Sequence, residues 1–224
     1  MAITKTKYYN VYELWKGNRR ILLTRNLTPG KNFFSERLHQ EDSEEYREFD
    51  ITRSKIAAAI AKKINMLPLR QGDTVLYLGA AHGYTASFVS DIVGKNGFVF
   101  CLDFAPRVVR DLYFVCEVRE NMTPILANAS HPETYKDLVS KADVLIQDIA
   151  QKAQVEILFK NLQFLKPQGY ILFSVKARSI DVTERPSTVF KEVEQKLRTR
   201  LKILDKKDLS PLEKDHMIFL CQVR

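Results

Sequence analysis

From residue 74 onward, the chain alternates short apolar runs with segments whose apolar residues recur at helical spacing. The strand-like runs cover residues 74–78, 97–102, 124–127, 143–147 and 170–175. The helical patterns cover residues 85–93, 106–120, 131–139 and 151–165. Strands that alternate with helices form βαβ units, and their right-handed crossovers give a parallel sheet with helices on both faces. The sequence therefore predicts a doubly wound α/β domain.

The last third of the chain departs from this alternation. A helical pattern over residues 188–198 is followed by two strand-like runs, residues 201–204 and 216–223, with no helix-length segment between them. Two such strands favour antiparallel pairing, so we expect an antiparallel strand inserted at the edge of the sheet. Seven strands ending in an antiparallel hairpin resemble the Rossmann-like fold of S-adenosylmethionine-dependent methyltransferases.

The first fifty residues have a different pattern, with short strand-like runs and turns. Strand-like runs over residues 8–15 and 20–24 are joined by Lys16-Gly17-Asn18, which favours a hairpin. We predict a small N-terminal antiparallel β-hairpin domain over residues 1–52 and a methyltransferase catalytic domain over residues 53–224. The first unit has too little apolar material to be stable alone. A helix over residues 54–66 is expected to open the second.

Composition excludes several classes of protein and site. No apolar run approaches the roughly 18 residues of a membrane span, and the N-terminus lacks a signal-peptide core. Three well-separated cysteines (Cys101, Cys116 and Cys221) predict reduced core thiols, a cytoplasmic location and no metal site. A net charge of +8 suggests a polyanionic partner.

A loop of small residues follows the first strand of the alternation. Its sequence is Gly79-Ala80-Ala81-His82-Gly83, and it opens a helix. Small residues such as Gly79 and Ala81 let the backbone approach a ligand closely. The loop lacks the GxGxxG dinucleotide pattern, so a plain tight turn would explain it as well.

Polar side chains follow the next three strands. Asp103, Asn128 and Asp148 stand at the carboxyl ends of these strands, where open α/β sheets bind their ligands. An acid after the second strand typically accepts hydrogen bonds from ribose hydroxyls. Asp103 and Asn128 could instead cap the turns that follow them. Taken with the loop, the three residues predict a cofactor that contains adenosine.

Methyl transfer from a sulfonium to a hydroxyl is a direct displacement, so the enzyme mainly positions the two reactants. A ribose hydroxyl also benefits from a base or an electrostatic partner as it loses its proton. Four residues near the expected crevice could supply these functions: Lys55, Asp148, Lys176 and His216. Each lysine alone is better explained as an ordinary surface lysine, so the hypothesis requires the fold to bring the four together.

Several ordered segments resemble the fibrillarin family, most closely its archaeal type. The matching stretches are residues 24–30 (TRNLTPG), 45–55 (EYREFDITRSK), 76–81 (LYLGAA), 89–94 (VSDIVG), 104–110 (FAPRVVR), 148–151 (DIAQ), 174–182 (SVKARSIDV) and 214–216 (KDH). Together they extend over nearly the whole chain.

This resemblance implies a guide-directed RNA 2′-O-methyltransferase that uses S-adenosyl-L-methionine and acts on ribosomal or transfer RNA. Such enzymes work in a box C/D ribonucleoprotein with a Nop5-type scaffold, an L7Ae-type protein and a guide RNA. The resemblance places the catalytic group on Lys55, Asp148, Lys176 and His216. It places cofactor contacts on Tyr84, Thr85, Asp103, Phe104, Asn128, Ala129, Asp148, Ile149, Ala150 and Gln151.

Three departures from the family pattern leave alternatives open. The family usually reads GAASGTT where this chain has GAAHGYT, so His82 and Tyr84 alter the cofactor loop. A Glu is common at the position of Asp103, and an Asp at that of Asn128. The chain could therefore be a scaffold subunit with weak cofactor binding. A protein glutamine methyltransferase is the other alternative, because the same fold can present other nucleophiles.

The positive charge is concentrated late in the chain. Residues 103–151 carry 5 basic and 8 acidic side chains, net −3, whereas residues 152–224 carry 15 and 9, net +6. Lys176, Arg178 and Arg185 follow the fifth strand, so we predict that they contact RNA and that this contact depends on salt.

Overall fold

The computed structural model describes residues 2–224. Its N-terminal part is an antiparallel sheet with the order β1-β2-β3-β5-β4. The strands are β1 (Thr4–Lys5), β2 (Val11–Lys16), β3 (Arg19–Arg25), β4 (Leu38–Glu41) and β5 (Glu44–Glu48). The hairpin expected around Gly17 joins β2 to β3, and Gly17 has φ 58° there. A second hairpin, β4–β5, belongs to the same sheet.

The second sheet has seven strands in the order β11-β12-β10-β9-β6-β7-β8. They are β6 (Thr74–Leu78), β7 (Phe98–Asp103), β8 (Met122–Leu126), β9 (Ala142–Gln147), β10 (Leu165–Lys176), β11 (Leu201–Asp208) and β12 (His216–Val223). Strands β8, β7, β6, β9 and β10 pair in parallel. Strand β12 runs antiparallel between β10 and β11, so the inserted strand lies second from the edge. The predicted seven-stranded fold is confirmed.

Within residues 2–224, six α-helices connect or flank these strands. They are α1 (Lys55–Ala61), α2 (Tyr84–Val93), α3 (Pro106–Cys116), α4 (Gln154–Asn161), α5 (Ala177–Ile180) and α6 (Pro186–Arg198). Helix α1 is shorter than the expected helix over residues 54–66. It ends at Ala61 because Lys63 adopts a left-handed conformation (φ 57°), which redirects the chain.

The helix expected over residues 131–139 was wrong. Two single turns of 3₁₀-helix, Pro132–Thr134 and Lys136–Leu138, occupy this stretch. Of the side chains in these turns, only Pro132 is buried, and Tyr135 is buried at their junction. An amphipathic helix needs a continuous apolar stripe to pack against the sheet, and this segment does not supply one.

Helices cover both faces of the seven-stranded sheet with their apolar sides. One face packs against α1, α2 and α3, and the other packs against α4 and α6. The first of these cores also contains Tyr8, Val11, Leu22 and Phe49 from the N-terminal part. The two sheets therefore share one hydrophobic core. Within residues 2–224, none of the helices has the length and apolar character of a membrane span.

A buried charge network also joins the two sheets. Arg47 of β5 donates to Asp91 of α2 (Nη1 to Oδ2, 3.0 Å) and to Glu36 (Nε to Oε1, 2.8 Å). Arg119 donates to the other oxygen of Asp91 at 2.7 Å. Burial lowers the pKa of the Arg119 guanidinium, and the Asp91 carboxylate opposes that shift. Asp91 is thus the shared counter-charge of two buried cations.

Candidate functional site

The crevice lies where the connections from neighbouring parallel strands diverge. Strand β6 lies between β7 and β9. The chain continues from β6 to β7 on one side and from β9 to β10 on the other, so the two connections run in opposite directions along the sheet. Gly79 follows β6 with φ 80°, and a Cβ at this position would lie 2.3 Å from the carbonyl oxygen of Asp148. No other residue fits there, so the glycine is required by both its conformation and its close contact with the β9 connection.

Asp103 links the loops that follow β6 and β7. Its carboxylate accepts hydrogen bonds from the backbone amides of Ala81 (3.0 Å) and Ala105 (3.1 Å). The second contact is the turn-capping role considered from the sequence. A carboxylate has about four lone-pair positions, so these two bonds leave capacity for ribose hydroxyls. Capping the turn and binding a ligand are therefore compatible.

A cavity of about 250 Å³ opens at this edge of the sheet. Eight of the predicted cofactor residues line it: Gly79, Asp103, Phe104, Ala129, Asp148, Ile149, Ala150 and Gln151. The Phe104 side chain is 65% exposed, so its ring is available to cover a planar base. A glycine cradle, a carboxylate for ribose hydroxyls and an exposed aromatic ring fit S-adenosyl-L-methionine chemically.

Sequence reasoning missed two residues that also line the cavity, Leu102 and Ala127. Both stand one position before a predicted site residue, at or just beyond the end of a strand. Their position at the sheet edge was a usable signal. Their apolar side chains gave no chemical indication of a site.

Four predicted cofactor residues lie outside that cavity: Ala81, Tyr84, Thr85 and Asn128. The Tyr84 hydroxyl accepts a hydrogen bond from the Asp50 amide at 3.1 Å. Thr85 Oγ1 donates to Ser54 Oγ at 3.1 Å. Asn128 is exposed, and its Oδ1 accepts from the Ser130 amide at 2.9 Å, as in the turn-capping alternative. A cofactor role for these four residues stays a prediction.

Lys55 and Asp148 form an ion pair at the mouth of the crevice. Lys55 Nζ lies 2.8 Å from Asp148 Oδ2, and the side chains are 21% and 25% exposed. Lys55 is the first residue of α1, whereas Asp148 directly follows β9 and lines the cavity. The same carboxylate therefore contacts both the cavity and the lysine.

Lys176 and His216 face each other across neighbouring strands. Lys176 ends β10, His216 begins β12, and the two are paired in register. His216 Nδ1 lies 2.7 Å from the carbonyl oxygen of Lys214, which can only accept, so Nδ1 carries the proton. In the neutral ring, Nε2 is then free to accept. Because β10 borders β9, the four predicted catalytic residues lie at one edge of the sheet.

The three predicted RNA-binding residues lie at the end of β10 (Lys176) and beyond it (Arg178 and Arg185). All are exposed. Arg178 is held in place, because its Nε contacts Asp215 Oδ2 at 3.4 Å and its Nη1 donates to the Val182 carbonyl at 2.7 Å. Arg185 precedes α6 on the surface. Their contact with RNA stays a prediction.

The described residues contain no cluster of three or more His, Cys, Asp or Glu side chains that could hold a metal ion.

Tyr77 of β6 is a third residue that sequence reasoning did not consider. Burial raises the pKa of the Tyr77 hydroxyl well above its ordinary value, and the negative charge of Asp148 adds to this. Because Tyr77 sits in an apolar strand, its sequence context indicates only core.

Comparison with known proteins is consistent with this geometry. The sequence model of the fibrillarin family matches residues 3–224. A fibrillarin-like rRNA/tRNA 2′-O-methyltransferase from Thermococcus onnurineus is 48% identical over 223 residues, covering 98% of each chain.

Two solved structures have the same fold at substantial identity. Aeropyrum pernix fibrillarin in complex with natively bound S-adenosyl-L-methionine is 41% identical, with a TM-score of 0.91, and covers 99% of this chain and 98% of its own. The fibrillarin of a fibrillarin/Nop5p complex is 36% identical, with a TM-score of 0.89, over 98% of this chain and 100% of its own. The chain belongs to the fibrillarin family.

Proposed function

We propose that this chain is an RNA 2′-O-methyltransferase that transfers a methyl group from S-adenosyl-L-methionine to a ribose of ribosomal or transfer RNA. The observation that carries the proposal is the double role of Asp148, which lines the cavity at this edge of the sheet and pairs with Lys55 at 2.8 Å. Family membership and the names of the relatives support the same activity.

The crevice would hold the cofactor through its own backbone and side chains. Gly79 would let the cofactor approach the backbone closely, Asp103 would accept hydrogen bonds from the ribose hydroxyls, and Phe104 would cover the base. When bound, the cofactor supplies an electrophilic methyl group on a sulfonium. Besides Asp103, Asp148 is a carboxylate that lines the cavity, and it would offer this sulfonium a negative charge.

The acceptor hydroxyl must lose its proton during the displacement. Lys55, fixed by Asp148, keeps a positive charge at the edge of the crevice and stabilises the negative charge that develops on the oxygen. His216 Nε2 is the group at this edge that can take the proton in the neutral ring, whereas Lys176 could take it only as an uncharged amine. Lys176 is exposed, so approaching RNA can also reach it.

The partners follow from the family. A Nop5-type scaffold holds this chain, as in the solved fibrillarin/Nop5p complex. An L7Ae-type protein and a box C/D guide RNA complete the particle, and base pairing with the guide selects the target nucleotide.

Free thiols at Cys101, Cys116 and Cys221 support a cytoplasmic location. Burial raises the pKa of Cys221 to about 12, so this thiol stays protonated at neutral pH.

Lys176→Ala tests the catalytic assignment in a particle reconstituted with scaffold, guide-binding protein, guide RNA and target RNA. We expect ribose methylation, measured by mass spectrometry of digested nucleosides, to be lost while assembly is retained. Lys16→Ala, an exposed lysine of the N-terminal hairpin, is the matched control. Undiminished methylation by Lys176→Ala would remove the lysine from the mechanism.

The same particle distinguishes the two alternatives. Calorimetric titration with S-adenosyl-L-methionine separates an enzyme from a scaffold, because a scaffold subunit would show little binding. A methyl group found on peptides instead of nucleosides would identify a protein methyltransferase. Wild-type transfer to the guided ribose excludes both.

A further inference from the structure

Two consecutive side chains of α2 hold the segment that leads into Lys55. Thr85 Oγ1 donates to Ser54 Oγ at 3.1 Å. Ser54 is buried and is the N-cap of α1, where its Oγ accepts from the Ala57 amide at 3.4 Å. Since Lys55 is the next residue, the Thr85 contact fixes the start of the helix that carries it.

Tyr84 holds the other end of the same segment. Its hydroxyl accepts from the Asp50 amide at 3.1 Å, and the Arg53 guanidinium lies 4.2 Å from the centre of its ring. The ring also makes edge contacts with Phe34 (5.3 Å) and Phe88 (5.1 Å). The Tyr84 side chain therefore packs between the segment of residues 50–54, Phe34 and the next turn of α2.

The first turn of α2 follows directly on the loop that lines the cofactor crevice. Residues 79–83 turn through left-handed conformations at Gly79, Ala81 and Gly83 before the helix begins at Tyr84. Lys55 is therefore held from two directions. The first turn of α2 fixes its backbone, and Asp148 fixes its ammonium group.

We propose that Tyr84 and Thr85 are positioning residues for Lys55. The inference rests on the proposed function, in which Lys55 acts in methyl transfer. It makes a specific distinction: losing the Thr85 hydroxyl slows transfer but leaves cofactor affinity unchanged. A cofactor ligand at this position would show the opposite pattern.

The pair Thr85→Val and Thr85→Ser tests this in the reconstituted particle. Valine keeps the branched shape without the hydroxyl, and serine keeps the hydroxyl. We expect Thr85→Val to lower the single-turnover rate about 10- to 100-fold, as for a misplaced catalytic group, and Thr85→Ser to restore most of it. The dissociation constant for S-adenosyl-L-methionine should match wild type in both. Thr199→Val removes an exposed hydroxyl beyond α6 and should change neither quantity.

A second readout is independent of methyl transfer. Acetylation of each lysine by acetic anhydride, followed by mass spectrometry, reports how firmly Lys55 is held. Loss of one hydrogen bond predicts a rise of about fivefold in Lys55 labelling in Thr85→Val. Labelling of Lys176 in the same sample is the internal reference, and Thr85→Ser is the control variant. Tyr84→Phe, which removes only the contact to the Asp50 amide, should raise Lys55 labelling as well.

The outcomes separate the two proposals. A wild-type particle without transfer overturns the proposed function, while Lys55 labelling still decides the positioning role. An active wild type with unchanged rate and labelling in Thr85→Val overturns the positioning role. Weakened cofactor binding in Thr85→Val with unchanged Lys55 labelling assigns the hydroxyl to the cofactor instead.

Discussion

At the scale of single residues, the crevice depends on Gly79. Its φ of 80° lies in the left-handed region, and a Cβ there would meet the Asp148 carbonyl oxygen at 2.3 Å. Gly30 has nearly the same φ, 79°, with nothing within 4 Å of an added Cβ. The two glycines therefore separate the cost of the conformation from the cost of the contact.

We expect Gly30→Ala to lower the free energy of unfolding by about 1–2 kcal/mol, the cost of a left-handed non-glycine residue. Gly79→Ala should lower it by more and should also weaken binding of S-adenosyl-L-methionine, because Asp148 must move. Urea unfolding and calorimetric titration measure the two effects. Equal destabilisation with unchanged affinity would show that the crevice tolerates the extra atom.

At the scale of elements, the N-terminal sheet is attached to α2 through buried charge. Arg47 and Arg119 both pair with Asp91, and all three side chains are fully buried. Removing one partner of a buried pair leaves an uncompensated charge, whereas an exposed pair contributes little. The exposed pair between Lys196 and Glu156, at 3.3 Å, provides the comparison.

Asp91→Asn should lower the free energy of unfolding by about 3–5 kcal/mol, because two buried guanidinium groups lose their shared counter-charge. Glu156→Gln should cost at most about 1 kcal/mol. Urea unfolding followed by circular dichroism measures both variants. Similar stabilities for the two would mean that the network relaxes to admit water around Arg47 and Arg119.

Several elements were predictable because their signals are local. The observed bounds of β6 and β12 equal the predicted ones. A buried strand has a nearly continuous apolar sequence, which can be recognised locally. The segment over residues 131–139 failed because helical spacing in a polar stretch does not show which side chains reach the sheet. Helix α1 ended early because a left-handed Lys63 has no marker in the sequence.

At the scale of the whole molecule, the basic surface beyond β10 is the expected RNA approach. Arg178 is tied to Asp215, whereas Arg185 is exposed at the start of α6. Each phosphate contact to a single strand contributes about 0.7 to the slope of log affinity against log salt. Arg185 is therefore the clearer probe of this surface.

We expect Arg185→Glu to weaken target RNA binding by the assembled particle and to reduce the salt slope by about 0.7 or more. Arg19→Glu on the exposed N-terminal hairpin should leave the slope unchanged. Binding measured from low to high potassium chloride gives both values. Identical slopes for Arg185→Glu and wild type would place the RNA elsewhere on the molecule.

The division into a domain over residues 1–52 and another over residues 53–224 stays a prediction. We propose it as a division of topology, because each part has its own sheet. Tyr8, Val11, Leu22 and Phe49 pack into the core beneath the second sheet, and Arg47 pairs with Asp91 of α2. We therefore expect the two parts to unfold together.

The sequence alone determined the alternation of strands and helices, the family resemblance and the polar residues at the strand ends. These are local patterns of hydrophobicity and residue type, which are visible along the chain. Only the tertiary structure decided which of those residues meet. The 2.8 Å pair of Lys55 and Asp148 joins residues 93 positions apart, and the Thr85 contact with Ser54 joins residues 31 apart. Such contacts depend on strand order and on the shared core, because packing fixes the distances between elements that are remote in sequence.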